Sequence, residues 1–573
     1  MAVVSGDELR GDQGPTFRTT RVEQRFQVSL AITVPILIAW LTHKLSFRTL
    51  SKPWNFSGDI LSAYSFSQSH LSGLFGFKSD IYGSPASLDY RYDTFDFFNS
   101  LLLVIARKLT GDPFLAVNLF YLATFPLTAL IFYFTARSLR VNSWTACSLG
   151  IVFSVIPYHF YRFDQGHISL AAYFMIPLGI LSIYRLREGL CNELQTRQEG
   201  FTKSNFLWFG VNVIVGSSVA YYALFLTLLA SSLFLFDLVI ERRRASVRKI
   251  GTSFAVISGF IVVPLAILLG APSPAFPVDR KIDESLIFGG TITKLLVPWI
   301  PALPDKISAF VEPQTNELEW VGISVLSWLG LVLLVTNLRS TRQSDQFLLR
   351  SFRILTAIAI LYFLSGGLGY LFSTFIFPDF RAWNRFSVII ECISLLSLGA
   401  VLTVVLKSRS MQMFSAGIIL LSMLVFNVFP LGSIGASKLP SDSTEAVFND
   451  VKEFSSVLRA NVQPGCSILL LPTILYPEGG IVNDVNSGDH FRLGILNPQY
   501  RWSYGASKFA PEGRFWESAA QDSQGEGVGE ILRAKSLGFC AAVLDTRAEF
   551  YSAMQLGDVV SEESTSYDLI LLD

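Results

Sequence analysis

Residues 97–109, FFNSLLLVIARKL, decide how the chain is threaded. The piece is apolar and helical in pattern, but it is short for a bilayer crossing and ends in Arg107 and Lys108. It reads either as a span or as a helix lying flat at the interface. Loop charge separates the two. If the piece crosses, Arg185, Arg187 and Arg242 to Arg244 fall outside, against the positive-inside rule; if it lies flat, they fall inside. The interfacial reading is adopted, and it fixes the side of every later loop.

Upstream, the first apolar run, 26–41, follows Arg18, Arg21 and Arg25 and has no small-residue cleavage site after it. It reads as an uncleaved first helix with residues 1–25 as a cytoplasmic tail. Downstream, apolar runs at 113–135, 144–158, 168–184, 205–217, 220–240, 250–270, 318–337, 353–372, 386–406 and 413–431 bring the expected spans to about eleven. Every inner connection is then basic, including ERRRASVRK at 241–249. A membrane domain over 26–431, with a long first outer loop at 47–112, is expected. After Pro430 the chain turns polar, with strand-length apolar runs at 467–471 and 541–544 and a strand-like end at 567–572. Residues 432–573 suffice for a small α/β domain on the outer side.

Composition agrees. Hydrophobic residues are 51% of 573 and charged residues 16%, below the roughly 25% of soluble domains. A net charge of zero points away from nucleic acid. Of five cysteines, Cys147, Cys191 and Cys392 lie in or beside spans. Cys466 and Cys540 lie in the outer region, where buried thiols are favoured over a disulfide.

The unusual polar clusters gather outside. The first loop has Asp59 in WNFSGDILSAY, then Asp89, Asp93 and Asp96. A carboxylate there can act as a general base or share a divalent metal. The segment PYHFYRFDQGHISL holds His159, Arg162, Asp164 and His167. It suits an anionic phosphate, with the aspartate fixing a histidine tautomer. Interfacial anchoring by its aromatics is the plainer alternative. Tyr221 and Tyr222 follow a tight turn. The loop 271–317 carries Arg280 and Glu284, and FPDFRAWNRFSV carries Arg381 and Arg385 around an aromatic, a pairing suited to phosphate. In the outer domain, Arg501, Trp502 and Tyr504 offer a charge and flat faces for a sugar. Span cores are almost free of charge, Glu391 excepted. No nucleotide-binding fingerprint appears, which disfavours ATP-driven transport.

This layout resembles the GT-C superfamily of integral-membrane glycosyltransferases. The matching elements are an inner N-terminus, the early acidic residue at Gly58–Asp59, an interfacial helix in the first loop and an outer C-terminal domain. More narrowly, PFLAVNLFYLATFPLTAL, PYHFYRFDQGHISLAAYFMIPL, the YYA at 221–223, RAWNRFSV and RWSYGASK are similar to a bacterial group labelled putative glycosyltransferase or sugar translocase.

The resemblance implies a multi-pass protein of the bacterial inner membrane that takes sugar from a polyprenyl-phosphate donor. The acceptor would be an envelope glycan, lipid or protein. Asp59 would be the base and Asp93 the second carboxylate, with His159, His167, Arg162, Arg381 and Arg385 at the donor phosphate. Tyr221, Tyr222, Arg280, Glu284, Arg501, Trp502 and Tyr504 are further substrate contacts. No cofactor is assigned. A divalent cation, Mg or Mn, is admitted, although Gly58 stands where the superfamily often has a second acid. A flippase of lipid-linked sugars and a non-enzymatic envelope-glycan assembly factor are the alternatives.

Overall fold

The computed structural model describes residues 20–69, 76–91, 96–196, 202–241, 247–271, 283–297, 322–336, 343–378, 380–429, 438–476, 481–482, 484–503, 506–507, 516, 528–548, 559–560 and 565–572. Asp93, Arg280 and Tyr504 lie outside them.

The chain begins with α1 (Arg21–Thr42), where the Thr20 hydroxyl accepts from Glu23 N at 3.2 Å. This satisfies one orphan donor of the first turn. Next come α2 (Ile60–Ser69), the short pair β1 (Lys78–Ser79) and β2 (Leu88–Asp89), and α3 (Phe97–Thr110). At 14 residues, α3 is about 21 Å long, too short to cross a hydrocarbon core of about 30 Å. Helix α4 (Pro113–Ser138) starts from an Asp112 cap with proline in its first turn, where a missing N–H costs nothing.

The bundle continues with α5 (Ser143–Ser154), α6 (Pro157–Asp164), α7 (Ile168–Ala171), α8 (Ile176–Thr196), α9 (Lys203–Gly216), α10 (Ala220–Val239) and α11 (Val247–Gly270). It is completed by α12 (Glu284–Ile287), α13 (Ile292–Leu296), α14 (Val325–Val335), α15 (Gln343–Phe363), α16 (Leu368–Phe375), α17 (Ser387–Val405) and α18 (Arg409–Met423).

Among the described residues seven helices are long and apolar enough to cross a membrane. The protein is a multi-pass α-helical membrane protein. Other expected spans are shorter or interrupted: α5 has 12 residues, α9 has 14 and α14 has 11. The run 168–184 is broken between α7 and α8, and 353–372 is broken before α16 at Gly366, whose φ of +74° no helix interior adopts. Residues 159–164, expected between two spans, belong to the helix α6.

Two ionisable side chains read from sequence as charge markers are consumed by packing. Arg187 is buried and pairs with Asp237 at 2.8 Å and Glu241 at 2.9 Å. Glu391 accepts from Ser324 N and the Ser327 hydroxyl, both at 3.1 Å, and so caps α14.

The C-terminal region opens with α19 (Asp442–Asn461). It adds β3 (Ser467–Leu471), β4 (Leu475–Tyr476), β5 (Ile481–Val482), β6 (Val485–Asn486), α20 (Phe491–Leu496), β7 (Arg501–Trp502), β8 (Ala506–Ser507), α21 (Val528–Ser536), β9 (Ala541–Asp545), β10 (Val559–Val560) and β11 (Tyr567–Leu571). The main sheet has the order β10-β11-β9-β3-β7, with β3 parallel to both its neighbours. Ile468, Leu470, Ala541 and Val543 are buried in its centre. Cys466 and Cys540, expected as thiols, are joined in a disulfide with Cα atoms 6.0 Å apart. The parallel β3–β9 pairing sets the two strand entrances side by side.

The sheet does not end within its own region. Trp502 N donates to Ile81 O at 2.7 Å and Gly83 N to Trp502 O at 2.8 Å. Thus a segment of the first loop runs parallel to β7 and covers an edge that would otherwise expose unpaired backbone groups.

Candidate functional site

The turn preceding α2 brings Asp59 to the surface. Gly58 has φ +66°, a left-handed conformation that glycine adopts without penalty. Leu61 N and Ser62 N close back on the carbonyls of Gly58 and Asp59. The loop after α6 packs against this turn. Asn55 donates through Nδ2 to the Asp164 carbonyl at 2.9 Å. At Gly166, φ +79°, a Cβ would lie 3.1 Å from Ile60 N and 3.2 Å from Asp59 N. Only glycine permits that approach, so the DQG turn acts as the spacer between the two clusters.

The contact sets His167 Nε2 3.2 Å from Asp59 Oδ2. The Asp59 carboxylate is 72% exposed and the imidazole 21%. On the other ring face, His167 Nδ1 is 3.4 Å from Arg162 Nη1. A guanidinium only donates, so Nδ1 accepts and the neutral ring carries its proton on Nε2, aimed at Asp59. The tautomer is therefore fixed by Arg162 and Asp59, not by Asp164 as the sequence suggested.

Arg162 is fully buried, with its guanidinium 4.9 Å from the Tyr158 ring centre. Tyr158 donates to the Tyr222 hydroxyl at 3.0 Å, and Tyr222 donates to Leu170 O at 2.7 Å. Next to Tyr222 in the chain, Tyr221 has Arg385 4.3 Å over its ring centre. Arg162 and Arg385 both lie within electrostatic reach of Tyr222. Asp59, His167, Arg162, Tyr221, Tyr222 and Arg385 thus form one connected neighbourhood.

Other expected site residues are placed differently. His159 is fully buried, stacks on Phe125 at 3.8 Å and uses both ring nitrogens, on Thr124 Oγ1 at 2.7 Å and Ser154 O at 2.8 Å. It is a core histidine, because α6 turns its face into α4. Arg381 is ion-paired with Glu284 and lies over Phe288, so two expected ligands neutralise each other. Trp502 is buried and its indole donates to Asn497 O at 3.2 Å, which leaves no free stacking face. Arg501 is exposed and reaches Pro85 O at 3.4 Å. Asp89 is held by Arg91 at 2.6 Å. Asp96 accepts from Ala220 N at 2.9 Å and ties the start of α3 to α10; burial pushes its carboxyl up to about 6 although hydrogen bonds oppose the shift.

Asp164 ends α6. Its Oδ1 is buried without a hydrogen-bond partner among the described residues, and desolvation pushes the carboxyl up to about 7. It lies two residues from the Gly166 contact with the Asp59 turn.

A divalent cation needs more donors. Among the described residues no group of three or more His, Cys, Asp or Glu could hold one, and Asp59 and His167 engage one another. Asp93, the expected second carboxylate, lies outside the described residues.

Known structures are similar to this chain in fold. ArnT from Cupriavidus metallidurans in the apo state aligns at TM-score 0.50 and 10% identity, covering 96% of this chain and 98% of that one. The same protein bound to undecaprenyl phosphate aligns at 0.49 and 10%, covering 95% and 98%. The Archaeoglobus fulgidus oligosaccharyltransferase in the apo form aligns at 0.47 and 12%, covering 92% and 70%. The fold is that of the GT-C membrane glycosyltransferases. No curated protein matches the sequence. A family model described as a domain of unknown function, DUF6311, matches residues 98–425, more than half of the chain, and the chain belongs to that family.

Proposed function

We propose that the protein is a membrane glycosyltransferase that moves a sugar from a polyprenyl-phosphate-linked donor to an acceptor glycan, lipid or protein outside the cytoplasm. One observation carries the reading: an exposed carboxylate, Asp59, is paired with His167, whose other nitrogen meets the buried guanidinium of Arg162, while Arg162 and Arg385 both reach Tyr222.

In the reaction Asp59 takes the proton of the acceptor hydroxyl as the oxygen bonds to the anomeric carbon. The bond from that carbon to the phosphate oxygen breaks, and its electron pair leaves on the lipid phosphate. Arg162 and Arg385 stabilise the phosphate charge in a low-dielectric setting where guanidiniums act strongly. His167 holds the carboxylate in place through Nε2–H. A single displacement inverts the anomeric configuration. The donor phosphate of a polyprenyl lipid supplies the leaving group, so no nucleotide need cross the membrane.

The basic inner loops support an outer site, a cytoplasmic N-terminus and a bacterial inner-membrane location. We assign 26–431 to the membrane domain and 432–573 to the outer domain. A flippase is less well supported, because Glu391, an acidic residue within a span, is engaged by Ser324 and Ser327 at the start of α14. The test is sugar transfer from radiolabelled polyprenyl-phosphate donors by the purified protein in nanodiscs, wild type beside Asp59→Asn. Turnover that disappears in the variant supports the reading; donor binding without turnover in the wild type favours the flippase or assembly factor.

A further inference from the structure

We propose that Arg492, in the C-terminal region, is a positioning residue for Asp59, so that this region is part of the working site. The inference rests on the glycosyltransferase reading for its kinetics and on geometry for the rest.

The Asp59 turn is gripped from two sides. One is the Gly166 loop. The other belongs wholly to residues beyond 438. Arg492 Nε donates to Phe56 O at 3.0 Å, three residues before Asp59. Gly488 packs so closely that a Cβ would sit 3.3 Å from Gly58 O. Phe448 meets the Phe56 ring edge-on at 5.6 Å.

Arg492 is itself immobilised. It is buried and pairs with Asp489 at 2.8 Å; Asp489 also takes Arg547 at 3.0 Å, and Arg547 pairs with Asp545 at 2.5 Å. Asp545 ends β9. The main sheet is thus linked through four alternating charges to the backbone of the catalytic turn. A rigid sheet is a better anchor than a loop, and a displacement near 1 Å at a reacting group costs about 100-fold in rate.

The test compares wild type, Arg492→Met and Gly488→Ala in nanodiscs. The first variant keeps the volume and loses the donor; the second keeps the whole charge network and crowds Gly58. We expect kcat to fall roughly 10- to 100-fold in Arg492→Met and several-fold in Gly488→Ala, with donor KM within twofold of wild type. Hydrogen exchange should rise in a peptide covering 54–62, with exchange in α4 unchanged. Wild-type kcat together with wild-type exchange at 54–62 in both variants overturns the proposal. So does a lowered melting temperature alone, with kcat per folded molecule unchanged. Should the wild type transfer no sugar from any polyprenyl-phosphate donor, the glycosyltransferase reading falls, and the exchange measurement still decides whether Arg492 holds the turn.

Discussion

Arg162 Nη1 stands 3.4 Å from His167 Nδ1, and this contact determines which nitrogen of His167 faces Asp59. A buried cation thereby controls the proton on a partly buried histidine. Replacing Arg162 with Met should free the ring to change tautomer, so that Nε2 stops donating to Asp59. Nitrogen NMR of labelled histidine in the purified protein checks this: the variant should show a mixed tautomer population for His167 where wild type shows Nε2–H alone.

The proposed reaction depends on Asp59 as its base. Asp59→Asn keeps the shape of the turn and removes proton acceptance, and kcat should drop by about 100- to 10,000-fold, the usual contribution of general acid–base catalysis. Donor binding, measured by calorimetry, should stay within threefold. Unchanged turnover removes Asp59 from the role.

Arg385→Ala takes away a guanidinium held over Tyr221. Charge-assisted hydrogen bonds contribute about 1.5–3 kcal/mol, so donor KM should rise by about 10- to 150-fold. Arg381→Ala should raise it by much less, because Glu284 already compensates that charge. Equal effects of the two substitutions would contradict this division.

His159 is predicted to matter for stability rather than for chemistry. His159→Ala removes the stack on Phe125 and leaves Thr124 and Ser154 without their partner. The melting temperature should fall by several degrees while kcat per folded molecule stays near wild type.

Stability should depend on pH through Asp164. Its carboxyl, raised from 3.8 to about 7 by burial, binds a proton more tightly folded than unfolded. The stabilisation is present in full below about pH 4 and is lost as pH rises through about 7. Asp164→Asn should therefore flatten this loss. Melting curves from pH 4.5 to 8 in detergent should converge at the acid end, with the variant more stable at the alkaline end.

A multi-pass membrane protein with a terminal α/β region is legible from the residues alone, because hydrophobic run length and loop charge are local quantities. The same holds for the clusters around Asp59, His167 and Arg385, whose polar residues stand out against apolar neighbours. Tertiary structure decided which of them meet. His159 and His167 are alike in composition of surroundings, yet the rotation of α6 sends one into the core and the Gly166 turn brings the other to Asp59.

Likewise, Arg381 and Arg385 read as one pair, and only packing gives the first to Glu284. Nothing local links Phe56 with Arg492, which are 436 positions apart. That contact, and the addition of residues 81–84 to the edge of the C-terminal sheet, arise because unpaired backbone groups at a strand edge and at a turn must find partners wherever the chain returns.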